Sequence, residues 1–587
     1  DGKLQLLSAD LDGEARQVHA EGELATEYHV SPRGDFVAFR ENYEVFATPL
    51  MPGGQAVTVG EKASSLPVVR ASKGGADYIG WTQGGDMLTW TMGPVLYRAS
   101  LDTMFADAPK EKDAPAFVPP TSGTSLERTV AAAKPSGTVA ITGAKILTMA
   151  GDGAGAIANG TIVITGDRIA AIGPADQIAV PQGASVIDAA GKTIMPGLVD
   201  AHAHGPQGVD DLVPQQNWSL VQNLAMGTTT LHDPSSRASM IFSAAERQRA
   251  GTLLAPRIFS TAEIVYGAKA PSVYARIDSY DDALAHIRRI KAQGGISIKN
   301  YNQPRREQRQ QVVAAAREED MLVVAEGGSL FGMDMNLIAD GNSTIEHNVP
   351  GEVFYEDVLQ FWEGSQSNYT PTLVVTYGGL AADPYWRQAT DVFDNPLMVH
   401  TPPRQLIAQT ARRVTAPDWA FVDDEAAREA KKLADRGVKV SIGAHGQQAG
   451  VAAHWELWSF ARGGMSPVEA LRAGTIEPAR SLGMERDIGS LEVGKLADLL
   501  VRSQRKHPQF GQDRPRHAGR PAVRCADHER GRDRLCPAPA LLVGMMESAA
   551  AGICLAAAVS RLSSVRASQV PRIWLRNSST LLFSAPA

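Results

Sequence analysis

The chain has 587 residues, 44% hydrophobic and 21% charged, with a formal net charge of −7. That length holds two or three domains with a sizeable core, and that composition excludes an intrinsically disordered chain. The acidic balance gives no reason to expect nucleic acid as a partner.

The first 105 residues read as β-structure. Residues 28–50 and 78–101 repeat one pattern at a spacing of 51, with Ser31-Pro32-Arg33-Gly34-Asp35 over Thr82-Gln83-Gly84-Gly85-Asp86. Each copy is a strand, a glycine-containing turn and a second alternating strand, which predicts a hairpin. A period near 50 suggests propeller blades. The run Ser31 to Phe39 resembles the repeat of TolB-like β-propellers. Residues 1–105 hold just over two such units, and a propeller has at least about four. The expectation is a partial propeller whose other blades lie outside this sequence; the alternative is a small β-domain complete in itself. Residues 106–126, rich in Pro, Ala, Ser and Thr, read as a linker.

Short strands follow over 127–195: Val139 to Leu147, Gly160 to Thr165, Arg168 to Ile172, Ser185 to Asp188 and Thr193-Ile194, with a hairpin turn at Gly166-Asp167. From 196 to 487, short apolar strands alternate with helical stretches, the pattern of a parallel (β/α) barrel of ordinary length. Strands are expected at 196–202, 227–232, 256–261, 296–300, 321–326, 343–347, 369–375 and 438–443. The stretch 376–420, with Trp386, Trp419 and several prolines, is too long for a simple helical connection and suits a lid or pocket wall.

The first barrel strand ends in Pro196-Gly197-Leu198-Val199-Asp200-Ala201-His202-Ala203-His204. Side chains alternate along a strand, so His202 and His204 share a face, and paired imidazoles chelate divalent metal. This nine-residue run resembles the first barrel strand of the metal-dependent amidohydrolase superfamily, in its imidazolonepropionase and prolidase-like branch. The resemblance covers about residues 138–501. It implies an α/β fold: a (β/α)8 barrel at 196–487 and a composite β-sandwich at 127–195, preceded by the propeller blades. The sandwich would be completed by residues 488–501, where Gly489-Ser490-Leu491-Glu492-Val493-Gly494-Lys495-Leu496-Ala497-Asp498 matches the family's returning strands.

Active sites of such barrels lie at the C-terminal strand ends. Lys299 ends strand four, Glu326 strand five, His347 strand six and His445 strand eight. In the family, the strand-one histidines bind one metal, a carboxylated strand-four lysine bridges two, histidines of strands five and six bind the second, and a strand-eight aspartate handles the proton. His202, His204, Lys299 and His347 match directly. Glu326 stands where a histidine is expected, and His445 where the aspartate is. Both remain metal-ligand types. The implied set is thus His202, His204, Lys299, Glu326, His347 and His445, holding one or two divalent ions, zinc foremost. The implied reaction is hydrolysis of a C–N bond by metal-activated hydroxide, with His445 and then Glu326 as candidates to move the proton. The substrate would be a small amide or dipeptide. Alternatives stay open. Lys299 can be an ordinary lysine paired with Glu326, leaving one metal; Glu326 can pair with Lys299 or Arg305; His445 can act from behind the ligands. His232 and His454 read as pocket or packing histidines.

Residues 502–587 change character: 14 Lys and Arg against 5 Asp and Glu, and all three cysteines, Cys525, Cys536 and Cys554. The strand periodicity stops. We read a basic tail that is frameshifted or disordered, and its apolar run Leu541 to Val559 is interrupted by Glu547, so no membrane span is expected. The acidic body has no cysteine and hence no disulfide framework. The sequence opens on Asp1 without a signal peptide; analogy with propeller fusions suggests the periplasm. A homo-oligomer is left open. Two rival functions remain: a deaminase or cyclic-amide hydrolase of the same superfamily, and a non-catalytic propeller–barrel binding protein whose altered ligands hold no metal. A third reading is an inactive gene product.

Overall fold

The computed structural model describes residues 3–503 except 52, 107–116, 206, 209–211, 271–272, 329, 352, 391–394, 396 and 411–414, together with two-residue strands at 524–525 and 534–535. Most of the tail, including Leu541 to Val559, lies outside the described residues. Among those described, no helix is long and apolar enough to cross a membrane.

The N-terminal region is all-β. Ala25–Val30, Phe36–Glu41, Glu44–Pro49 and Val69–Arg70 form one four-stranded antiparallel sheet. Asp77–Trp81, Met87–Met92, Val95–Ser100 and Thr124–Ser125 form another. The sequence repeat is a repeat of bonds. Ser31 Oγ donates to Asp35 Oδ1 at 2.8 Å, and Thr82 Oγ1 to Asp86 Oδ1 at 2.6 Å. Leu50 N donates to Asp35 O, and Leu101 N to Asp86 O. In both units a short hydroxyl–carboxylate bond pins the turn while the aspartate's carbonyl takes the next strand's amide. Thr124–Ser125, inside the stretch expected as linker, pairs with Val95–Ser100.

A further sheet lies between residues 138 and 196. Its order is Arg168–Pro174, Ala156–Thr165, Thr138–Leu147, Lys192–Pro196, then Leu499–Ser503 from the far end of the described chain. Ile141, Ile146, Ile162, Ile164, Ile194 and Leu499 alternate inward to make its core. Lys192–Pro196 pairs in full with Leu499–Ser503, so the strand feeding the His-x-His segment is fixed by the returning chain. Arg257 donates twice to Asp498, at 2.7 and 3.1 Å, and ties that return to the parallel strands.

Those parallel strands are β1 (Leu198–Asp200), β2 (Thr228–Asp233), β3 (Arg257–Ser260), β4 (Ser297–Asn300), β5 (Leu322–Glu326), β6 (Thr344–Glu346) and β7 (Asn368–Thr370). β1 to β3 make one sheet, and β4 to β7 another. Single backbone bonds reach between them: Ile296 N to Ser260 O, and Val265 N to Lys299 O. On the other side Ser441 N donates to Tyr369 O, and Ala201 N to Ile442 O.

Two expected strands are shorter than the sequence suggested. β7 stops at Thr370 because Pro371 has no N–H to give a neighbour and Thr372 turns left-handed at φ 51. Leu373–Val375 is instead a 3-10 turn. Residues 438–443 form no strand, only a bridge through Val440 to Tyr369 and single backbone bonds such as those just named. Helices Tyr280–Gln293 and Arg306–Glu318 pack Ile287, Ile290, Val312 and Val313 onto β4 and β5 through Ile298 and Val323.

Candidate metal centre

Four imidazoles converge at the C-terminal strand ends. Ring centroids of His202 lie 4.9 Å from His204, 4.9 Å from His347 and 5.1 Å from His445. His204 and His445 are 4.7 Å apart, and His347 and His445 5.1 Å. His202, His347 and His445 each offer a ligand atom within 4.8 Å of the others'.

The backbone works to bring them there. His347 and His445 both sit in the left-handed region, at φ 67 and 54, a conformation that costs a non-glycine residue energy and is found where surrounding structure enforces it. His445 N donates to His202 O at 2.7 Å. The next residue, Gly446, passes so near His204 that a Cβ would lie 2.2 Å from its carbonyl oxygen, so only glycine fits.

Two carboxylates orient the strand-one pair. His202 Nδ1 lies 2.7 Å from Glu346 Oε2, and His204 Nδ1 2.9 Å from Asp233 Oδ1. An Nδ1–H given to a carboxylate leaves the lone pair on Nε2. The two Nε2 atoms face each other at 3.1 Å. With both rings in that tautomer the facing atoms are two lone pairs, which repel unless a cation lies at their convergence. Thr344 Oγ1 in turn donates to Glu346 at 2.5 Å. Asp200, buried beneath, accepts from His202 N at 3.2 Å and Ala444 N at 3.0 Å, joining β1 to the segment that carries His445.

Lys299 and Glu326 complete the group. Lys299 is 1% exposed, and its Nζ lies 2.5 Å from Glu326 Oε2. Glu326 Oε1 is 3.3 Å from His347 Nε2. The ion pair is the one the plainer reading of Lys299 anticipates. Lys299 Nζ nevertheless has no aligned hydrogen bond, and neither has Nδ1 of His347 or His445.

The electrostatics disfavour protons here. Burial pushes His202 well below its ordinary value, pushes His347 down, and pushes His445 down to about 3, with the neighbouring imidazoles and Lys299 adding to it. Burial also raises Glu346 and Asp200 to about 7 and raises Asp233. Burial acts to raise Glu326 too, but Lys299 and His347 overcome it and hold that carboxyl well below the usual range. Neutral imidazoles beside carboxyls pushed toward neutrality are an environment a divalent cation relieves. The orphaned nitrogens, the facing Nε2 atoms and this donor chemistry all fit zinc or a similar ion.

The structure brings all six sequence-derived candidates together: His202, His204, Lys299, Glu326, His347 and His445. His232 stands apart, with Nδ1–H given to Ala201 O at 2.9 Å and Nε2 facing Ser297 Oγ at 2.8 Å. His454 Nε2 meets Met226 O at 2.7 Å. Sequence reasoning placed Asp233 beside His232 at the end of strand two without giving it a role, and it passed over Glu346. The signal was adjacency: each lies next to a histidine at the end of a strand, in Glu346-His347 and His232-Asp233. It also missed Glu456, fully buried on helix Val451–Arg462, which accepts from Val374 N at 2.7 Å and Gly443 N at 3.3 Å and is raised by burial to about 8.

Residues 193–515 match the amidohydrolase family. Two curated relatives are imidazolonepropionases: that of Symbiobacterium thermophilum is 54% identical over 44 residues, 8% of this chain and 10% of the relative, and that of Thermoplasma acidophilum 34% identical over 100 residues, 16% and 24%. The chain thus spans a quarter or less of the length of the curated relatives it matches. Among solved structures, a Xaa-Pro dipeptidase with bound methionine is 21% identical with a TM-score of 0.48, over 62% of this chain and 94% of that one. A putative prolidase from Bifidobacterium longum is 22% identical with a TM-score of 0.47, over 63% and 89%.

Proposed function

The chain belongs to the amidohydrolase family, and from that premise we propose that it is a metal-dependent hydrolase of C–N bonds acting on a small amide or dipeptide. The observation that carries this is the pair of Nε2 atoms 3.1 Å apart, each on a ring anchored through Nδ1 to a buried carboxyl. We read the two parallel sheets as arcs of one barrel, and the N-terminal repeats as blades of a propeller. His202, His204, His347 and His445 would hold the ion. A divalent metal in such a site lowers the pKa of water to near ~7 and polarises a carbonyl. The chain's own part is orientation and proton handling. Glu346 and Asp233 fix the strand-one rings. Glu326, ionised over the working pH range, takes a proton and returns it to the leaving nitrogen, with Lys299 2.5 Å away to balance its charge. His445, pushed down to about 3, is a poor base and a good neutral ligand. A second reading rests on the unaligned Nζ of Lys299: a carboxylated lysine bridging two ions.

The test is zinc content of the purified full chain by mass spectrometry, with hydrolysis assayed on dipeptides, cyclic amides and amino-heterocycles. One equivalent, unchanged by Lys299→Ala, supports the single-ion centre; two, falling in that variant, support the bridged one. In either case His202→Asn should abolish hydrolysis. A folded chain that binds no metal would instead leave the non-catalytic binding protein. Turnover only of amino-heterocycles would make it a deaminase.

A further inference from the structure

We propose that the mouth of this centre carries an apolar subsite built by the chain segments after β5, β6 and β7, and that it selects substrates with an uncharged, bulky or aromatic group beside the scissile bond. The inference rests on the metal-centre reading and adds the substrate class. Its wall is Tyr377. The tyrosine ring packs on His347 with centroids 5.2 Å apart, so the wall is continuous with the imidazole cluster. Its backbone is clamped from both sides: Tyr377 N donates to Asn348 Oδ1 at 2.7 Å, and Asn348 Nδ2 donates to Tyr377 O at 3.1 Å. The ring also lies against Gly328, where a Cβ would come within 2.4 Å of it. Gly328 is itself held at φ 84 by the buried Asp334, which accepts its N–H at 3.2 Å. A residue fixed this firmly still leaves 43% of its surface open, and Leu330 and Phe331, which follow Gly328 in the chain, are 68% and 40% exposed. Phe331 reaches across to Gly351 in the segment after His347, with its ring 3.6 Å from where a Cβ would stand.

The three segments themselves bring no charge to this side of the mouth, where the acids nearest Tyr377 are Glu326 and the buried Asp334. Residues 327–333, 348–351 and 373–381 contain no Asp, Glu, Lys, Arg or His. A charged substituent facing these segments would lose water and gain no partner, whereas an apolar one covers Leu330, Phe331 and Tyr377. A free amino acid side chain of either sign is therefore the wrong occupant, and an aryl or branched alkyl group the right one.

Hydroxamates test this without turnover, because they bind metal through one end and present a chosen group at the other. Affinities of acetohydroxamate, benzohydroxamate and succinic monohydroxamate for the zinc-loaded full chain are measured by calorimetry. Benzohydroxamate should bind at least about tenfold tighter than acetohydroxamate, as expected for burying one ring against apolar surface, and the carboxylate-bearing compound no tighter than acetohydroxamate. In Tyr377→Ala, and separately in the exposed-site variant Leu330→Ser/Phe331→Ser, that preference should fall below about threefold while acetohydroxamate affinity holds. Equal binding of the first two compounds overturns the subsite and leaves the centre standing. A preference that survives both variants overturns it as well, since the contact would lie elsewhere. Tightest binding of the carboxylate compound does the same. No binding of any hydroxamate to zinc-loaded protein overturns the centre itself.

Discussion

The exchange of carboxylate and imidazole between strands five and eight decides how the site works at the level of single residues. Glu326 is bound on one side by Lys299 at 2.5 Å and on the other by His347 at 3.3 Å, while His445 stands within 5.1 Å of three other rings. On the function proposed above, the imidazole belongs with the ligands and the carboxylate with the charge relay. Glu326→Gln separates these roles. It should lower kcat by roughly 10²-fold or more, the usual worth of a positioned acid–base group, while zinc content is unchanged. It should also leave Lys299 as a buried charge without its partner, at a cost on the order of 3–5 kcal/mol, read as a lower melting temperature. Loss of zinc in this variant would make Glu326 a ligand and send the proton elsewhere. The six candidates themselves were legible because each closes an apolar strand run, a local signal. The roles of Glu346 and Asp233 were not, because what they do depends on which ring a neighbouring strand delivers to them, and no spacing in the sequence encodes that.

Secondary elements divide in the same way. The hairpins 51 residues apart were visible because turn chemistry is local: Ser31 and Thr82 cap the same turn through Asp35 and Asp86. β7 was misjudged in length because its apolar run continues through Leu373 to Val375 while Pro371 ends the ladder. The pairing of Lys192–Pro196 with Leu499–Ser503 joins residues some 300 apart, and the sequence pointed to it only through family likeness. Asp498 is the element's anchor. Its carboxylate is buried and doubly bonded to Arg257, whose side chain is 30% exposed. Asp498→Ala should cost about 2–3 kcal/mol, a charge-assisted bidentate pair discounted for that exposure. Thermal melting would show a fall of several degrees. An unchanged melting temperature would mean the return strand is held by its ladder alone.

At the scale of the whole molecule, the question is how the N-terminal sheets meet the body. The seam runs along residues 263–293. Asn42 accepts from Arg276 N at 2.8 Å, Glu61 pairs with Arg276 at 2.5 Å, and Gln293 donates to Asp77 at 2.7 Å. At its centre Arg289 lies over the Tyr43 ring at 3.7 Å, and Tyr43 meets His286 edge-on at 5.7 Å. Helix Tyr280–Gln293 was predictable as amphipathic, but its partner was not, since a buried arginine and histidine on its far side read as solvent-facing until another sheet covers them. The same segment reaches the centre from the other side, where Val265 N donates to the carbonyl of Lys299. His286 makes the seam sensitive to acid. Its ring N–H is given to Arg276 O at 3.2 Å, and burial, with Arg289 adding and Asp282 opposing, pushes it down to about 3. The unfolded chain takes up that proton below about pH 6.5, and the folded one does not. Stability from this group is therefore complete above about pH 6.5 and is lost as pH falls, by up to about 1.4 kcal/mol per unit until the folded value is reached. His286→Gln keeps a donor for Arg276 O and removes the titration. At pH 7.5 the variant should melt below the wild type, because it packs less well on Tyr43. By pH 5 the wild type should have lost about 2 kcal/mol that the variant keeps, and the gap between their melting temperatures should close or reverse. A gap that stays constant from pH 7.5 to 5 would show that the histidine is protonated in the folded chain, and that the seam opens to water where these contacts hold it shut.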